Sequence, residues 1–330
     1  MSDMKKIRKI AKAVQSSFKS LVKRAGHGPQ ETKQPGRQVI VTSDCQTGGI
    51  AAALQVIFPN DEITPLVLPT SSSLDAESRF AEKLKNADVW VSSGGYERLQ
   101  NVQRSKQPQL VRVPIISFSG FHPDIVYARK TSTNELTMPH YNSAIAVWAY
   151  KNGLEVSAAE KLFNKRTYIE LGYLDHWGPS FNQLKQGFKN SDLEFSEFFL
   201  PMRREGLFMY SLNHPKVVAL VRLAKLVARK MGAGKEVLER YIDINEGLNE
   251  VIWPIYPEIG ENLSLHSSYE WKMGAGQWIH GVREFLENAY ESYSRQGIAP
   301  HDLTAVQTDE KLFNRVLGAQ VRRSHCEQPL

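Results

Sequence analysis

Cysteine is scarce: the 330 residues hold two, Cys45 and Cys326, too few and too far apart for a disulfide framework or a paired-cysteine zinc site. No H-E-x-x-H or C-x-x-C spacing occurs, so no metal is expected. Neither G-x-G-x-x-G nor a P-loop is present, which removes the commonest dinucleotide and nucleoside-triphosphate sites. Long apolar runs are missing too. The best, Val217 to Val227, is broken by Arg222 and Lys225 and is shorter than the roughly 18 residues that span a bilayer. Lys5, Lys6, Arg8, Lys9 and Lys12 break up any apolar core of an export signal, so the cytoplasm is the expected compartment. Net positive charge is absent outside one segment. Residues 1–38 hold ten Lys/Arg against Asp3 and Glu31, a balance of +8, so the remainder of this +6 chain carries −2. A near-neutral body argues against nucleic acid as a partner.

That basic segment is patterned. Ile7, Ile10, Val14, Phe18 and Leu21 recur at spacings of three or four with Lys and Arg on the other face, which predicts a basic amphipathic helix over 1–26. Residues 27–38, rich in Gly, Pro and Gln, read as a linker. The helix either lies solvated or docked on its own domain, or binds an anionic membrane surface through residues 4–25, making the protein peripheral on the inner face.

From 39 to 140 the pattern predicts an α/β core with a parallel sheet. Strands are expected at Val39–Val41, Pro65–Leu68, Ala87–Val91 and Val111–Phe118, with helices following the first two. From 141 to 330 helical spacing dominates, near 142–152, 157–166, 182–197, 215–231, 234–250 and 273–296, with few strand signals. The expected fold is therefore a parallel-sheet α/β N-terminal core with a large, mainly helical C-terminal half packed on it.

Ligand sites of open parallel sheets lie at the carboxyl ends of the strands. Asp44-Cys45-Gln46 ends the first strand, and Gly120-Phe121-His122-Pro123-Asp124 ends the last. Cys45 precedes a helix, where unpaired N–H groups favour a thiolate, and Gly48 and Gly49 permit close approach of a ligand. A nucleophile at a strand-to-helix turn with a histidine from elsewhere is an acyl-transfer arrangement. His122 is the candidate base, with Asp124 or Asp44 to orient its imidazole. His140 and His214 each precede an expected helix start, as caps or as ligand contacts, and His266 is a weaker candidate.

Five segments in order, Val41-Thr-Ser-Asp-Cys-Gln46, Ser119-Gly-Phe-His-Pro-Asp-Ile-Val-Tyr127, His140-Tyr-Asn-Ser-Ala144, Leu212-Asn-His-Pro215 and Trp253-Pro-Ile-Tyr-Pro257, resemble the WcbI-type polysaccharide-biosynthesis enzymes over roughly 39–285. The resemblance implies an enzyme that binds coenzyme A and acetylates a capsular or other surface polysaccharide, or a lipid-linked glycan precursor, with acetyl-CoA as cosubstrate. It adds Asn142 and Ser143 to His140, His214, Gly48 and Gly49 as coenzyme contacts. Lys216, Arg203, Arg204, Arg129 and Lys272 become candidate partners of the coenzyme phosphates. The family usually reads Gly-Asn-Cys-Gln where this chain has Ser43-Asp44-Cys45-Gln46. An ionised Asp only accepts hydrogen bonds, which leaves Gln46 and backbone N–H groups as oxyanion donors. A Cys–His esterase or thioesterase, and a non-catalytic coenzyme- or glycan-binding scaffold, are the alternatives.

Overall fold

The structure, a computed structural model, describes residues 36–68, 74–97, 107–274 and 276–326. The expected helix and linker over 1–38 fall almost wholly outside them. In chain order the principal elements are β1 (Gln38–Ser43), α1 (Thr47–Ile57), β2 (Glu62–Val67), α2 (Leu74–Lys85), β3 (Val89–Ser92), β4 (Gln109–Arg112), β5 (Ile125–Lys130), β6 (Leu136–Ser143) and α3 (Ala144–Lys151). There follow α4 (Trp177–Lys189), α5 (Phe195–Glu205), α6 (Val217–Lys230), β7 (Glu270–Met273), β8 (Gln277–His280), α7 (Gly281–Arg295), β9 (Leu303–Ala305) and α8 (Glu310–Cys326). Short helices occupy Val156–Glu160, Lys165–Glu170, Lys235–Glu239 and Pro257–Leu263.

Two compact units are present, and each is built from two separate stretches. The first takes the chain up to Ser117 and Gln183–Asn249; the second takes Phe118–Asn182 and Glu250–Leu330. The division expected at residue 140 differs from this because residues 183–249 return to cover the parallel sheet.

The first unit holds that sheet, in the order β2-β1-β3-β4 with every pair parallel. Val39 and Val41 on one face and Ile40 on the other are all buried, as the apolar run of a strand covered on both faces requires. The strand order leaves β1 toward β2 on one side and toward β3 on the other, so the sheet's switch point lies at the carboxyl ends of β1 and β3. Hydroxyls lock those ends together: Thr42 Oγ1 donates to Ser92 Oγ at 2.6 Å and accepts from Trp90 Nε1 at 2.9 Å. Helix α1 packs on α6, and the approach is tight at Gly49, where a Cβ would meet Leu220 Cδ1 at 2.4 Å. Gly49 thus serves helix packing, and Gly48 is buried in the same first turn.

The second unit contains an antiparallel sheet, β6-β5-β9, and the β7–β8 hairpin. Both lie in or beside the stretch that helical spacing claimed. Trp271 and Met273 alternate with Glu270 and Lys272 ahead of Gly274 and Gly276, a period of two that the longer helical pattern of α7 obscures. Residues 136–143 form β6, so the helix expected from Tyr141 starts at Ala144, capped by Ser143 Oγ accepting from Ala146 N at 3.0 Å. The strand expected over 111–118 stops at Arg112, since Pro114 lacks the N–H a ladder needs. No helix among the described residues is long and apolar enough to cross a membrane.

Candidate functional site

In the first unit the residues after β1 converge on Cys45. Gln46, with no exposed surface, turns its amide onto backbone: Nε2 donates to Ile116 O at 2.8 Å and Asn213 O at 3.1 Å, and Oε1 accepts from Ile116 N at 3.1 Å. One side chain therefore supplies Ile116 with the donor and acceptor that a neighbouring strand would offer. Both amide N–H groups are engaged, so Gln46 positions the loop and is not available as the oxyanion donor expected of it.

Asp44 has a similar local task. Its Oδ1 accepts from Gln46 N at 3.0 Å and its carbonyl accepts from Thr47 Oγ1 at 2.8 Å and Thr47 N at 3.3 Å. An acceptor is what this turn needs, and Asp meets that need as Asn does. Burial raises the Asp44 pKa, opposed by those hydrogen bonds.

Cys45 is exposed, with Sγ 3.7 Å from Asn213 O and its thiol hydrogen-bonded to the Asp44 carboxylate. Desolvation of the sulfur, and after it the charge of Asp44, push the thiol above its usual range. The residue keeps solvent-facing surface, so the adjacent carboxylate is the steadier of these causes. The expected thiolate is thus disfavoured: the first N–H groups of the turn bond Asp44, and two oxygen acceptors face the sulfur.

Asn213 belongs to a tight loop closed by Tyr210 N donating to His214 O at 2.7 Å and by the Met209–Pro215 bridge. His214 is thereby held one residue from the carbonyl that meets Cys45, and burial lowers its pKa. Lys216, half-buried at the start of α6, lies 5.5 Å from the Tyr210 ring centroid. Burial lowers its pKa and Glu246 opposes the shift. Glu246 itself caps α6, both carboxylate oxygens accepting from Val217 N at 3.2 Å. Arg203 and Arg204 are exposed on the last turn of α5.

In the second unit His122, 2 % exposed, faces Pro254 O through Nδ1 at 3.2 Å. A carbonyl only accepts, so Nδ1 carries the proton and the neutral ring has its lone pair on Nε2, the tautomer of a general base. Asp124 does not orient this imidazole, contrary to expectation. Its Oδ1 accepts from Tyr173 OH at 2.8 Å and Ile145 N at 3.1 Å, and its Oδ2 accepts from Tyr256 OH at 2.7 Å. Burial lifts the Asp124 pKa to about 6, against the hydrogen bonds, Ser143 first, that favour the charged form.

The loop carrying His122 is pinned by residues absent from the expected set. Ser119 Oγ and His176 Nε2 are 2.8 Å apart, and Ser180 Oγ accepts from Gly120 N at 2.8 Å. Burial lowers the His176 pKa, so the pair is neutral near pH 7. No spacing links positions 57 residues apart in the sequence.

Asn142 is a brace for the Thr137–His140 turn: Nδ2 donates to Thr137 Oγ1, Pro139 O and His140 O at 3.0–3.3 Å, and Oδ1 accepts from Tyr293 OH at 2.9 Å. Its amide and the Ser143 hydroxyl, both expected as coenzyme contacts, thus have structural partners. His140 is exposed on β6 and His266 is exposed after the Pro257–Leu263 helix. Arg129 bonds Asn134 Oδ1 at 2.9 Å, and Lys272 sits on β7. No cluster of three or more His, Cys, Asp or Glu among the described residues could hold a metal.

The first unit is a parallel α/β sheet with an accessible thiol beyond its switch point, the edge at which sheets of this kind hold their ligands. More particularly, the chain belongs to the WcbI family: residues 38–236 match the profile of "Polysaccharide biosynthesis enzyme WcbI". The fold agrees with a solved WcbI structure at a TM-score of 0.64 and 15 % identity, over 88 % of this chain and 99 % of that one. That protein is described as a novel polysaccharide biosynthesis enzyme, native and without a disulfide bond between coenzyme A and one of its cysteines. No curated protein matches the chain.

Proposed function

We propose that this protein transfers the acetyl group of acetyl-CoA to a hydroxyl of a capsular or other surface polysaccharide, or of its lipid-linked precursor. The observation that carries the proposal is the exposed Cys45 thiol, held on a loop whose shape is set by its neighbours, in a family with a solved member described as free of a disulfide bond between coenzyme A and one of its cysteines. By that likeness the thiol end of the coenzyme lies against Cys45. The surroundings suit a thiol, since Asn213 O and the Asp44 carboxylate are both placed to accept its one S–H proton. Lys216, Arg203 and Arg204, in the same unit as Cys45, are the cations for the phosphates.

Direct transfer fits better than an acyl-cysteine. Acceptors around Cys45 oppose the thiolate that attack would need, whereas His122, its Nδ1 donating to Pro254 O, carries the lone pair of its neutral ring on Nε2. The sugar hydroxyl gives its proton to a general base, for which His122 is the candidate by its tautomer, as its oxygen attacks the thioester carbonyl. The C–S bond breaks, and the departing coenzyme thiolate recovers the proton. The test is acetyl-CoA consumption with and without glycan, read with intact-protein mass. His122→Ala should lose about 100- to 10,000-fold in rate, Cys45→Ala far less, and no acetyl adduct should accumulate. Equal consumption without glycan would make the enzyme a hydrolase, and binding without consumption would make it a scaffold.

A further inference from the structure

The second unit contains a cleft that the transfer chemistry does not use. It has a cavity volume of about 120 Å³ and opens to solvent at the meeting of β6, the β7–β8 hairpin and α7. Tyr141, Phe285 and Tyr293, all buried, form an aromatic floor. The floor is rigid: Tyr293 OH donates to Asn142 Oδ1 at 2.9 Å, and the Phe285 ring stacks on Trp271 at 4.3 Å. Positions 285, 288, 289, 292, 293 and 295 of α7 share one helix face, so the apolar floor and polar rim come from the same element. Ala289, between Phe285 and Tyr293 on that face, leaves the space open.

The rim is polar and mostly uncharged. Gln277 Nε2 and Asn288 Oδ1 are 3.4 Å apart at its edge, and Arg295 is the cation among the lining residues, 3.7 Å from Glu291. Carboxamides offer donors and acceptors side by side, which matches vicinal hydroxyls, each of them both donor and acceptor. Aromatic rings beneath match the C–H faces of a sugar. Phosphates would call for more than one cation or for a helix N-terminus, and α7 presents its middle. We propose that this cleft binds a pyranose ring of the glycan substrate, a subsite for the acceptor chain; the inference rests on the transferase assignment for the identity of that glycan.

The probes are maltotriose, chitotriose and a hyaluronan tetrasaccharide, neutral and acidic, with octanoate as an acyl control. Saturation-transfer NMR on the full chain, without coenzyme, should show binding of at least one sugar. Ala289→Phe, which fills the cleft, should abolish it, and the exposed rim variant Gln277→Ala should weaken it about tenfold, the loss of roughly one good hydrogen bond. Each variant should keep the wild-type response of Tm to coenzyme A, which certifies its fold. Failure of all three sugars, sugar signals undiminished in both variants, or binding of octanoate alone would overturn the subsite. If coenzyme A binds and no sugar does, the subsite falls and the transferase assignment stands. If a sugar binds in the cleft and coenzyme A never does, the transferase assignment is what fails.

Discussion

Asp124→Asn is expected to change how the stability of the protein responds to pH. The carboxyl is 1 % exposed and receives hydrogen bonds from Tyr173, Tyr256 and Ile145. Its pKa rises from 3.8 to about 6 on folding, burial being the largest cause. Between those values the folded state holds a proton that the unfolded chain has released. Stability from this group is therefore present at low pH and lost as pH rises through about 6. The full window corresponds to roughly 3 kcal/mol, of which about 1.3 kcal/mol falls between pH 5 and pH 7. Asparagine is neutral throughout; its Oδ1 still accepts from Ile145 N and Tyr173, and its Nδ2 can donate to a rotated Tyr256 hydroxyl. Urea unfolding of both proteins at pH 5, 6 and 7 is the assay. The wild type should gain about 1.3 kcal/mol relative to the variant on going from pH 7 to pH 5. A stability difference that is flat across this range, or that moves the other way, would refute the reasoning.

Gln46→Glu sets a carboxylate against the carbonyls of Ile116 and Asn213, and should destabilise the fold by about 3 kcal/mol in denaturant titrations, more than Gln46→Ala. Asp44→Asn removes the charge beside the sulfur and lowers the thiol pKa, so alkylation by iodoacetamide at pH 8 should be faster than in the wild type, with the midpoint of its pH profile moved down. Coenzyme A at a hundredfold excess over its Kd should stabilise the protein by about 2.7 kcal/mol, read as a rise in Tm. Residues 4–25 should carry the chain onto anionic vesicles in co-sedimentation, and a chain starting at Arg37 should stay in the supernatant.

The parallel sheet was legible because strands covered on both faces are written as apolar runs: Val39-Ile-Val41 and Val89-Trp-Val91 announce themselves, and the turns after them mark the ligand edge. The antiparallel elements were not. Leu136–Ser143 mixes Pro139 and His140 into a strand that is mostly exposed until Tyr141, which leaves no clean alternation. At the site, residue types could be picked out but partners could not. Gln46 looked like a donor in search of an oxyanion, yet its partners lie 70 and 167 positions away. Asp124, two residues from His122, looked like its orienting acid. That task falls to Pro254 O, 132 positions on, while Asp124 gathers two tyrosines. The five segments of the family resemblance sort by unit: those at Cys45 and Asn213 meet in the first, and those at His122, Ser143 and Tyr256 in the second.

The return of residues 183–249 to the first unit sets an order of events during synthesis. Strands β1 to β4 leave the ribosome early, but the Asn213 loop and α6 follow roughly a hundred residues later, about 5–20 s at ordinary translation speed. Through that interval Gln46 has Ile116 as a partner but not Asn213, and the face of α1 around Gly49 has no Leu220 against it. The nascent chain must carry an uncovered apolar helix for as long as it takes to make much of the other unit. A holdase would act on that helix, and pausing of translation between Ser117 and Asn213 would lengthen its exposure.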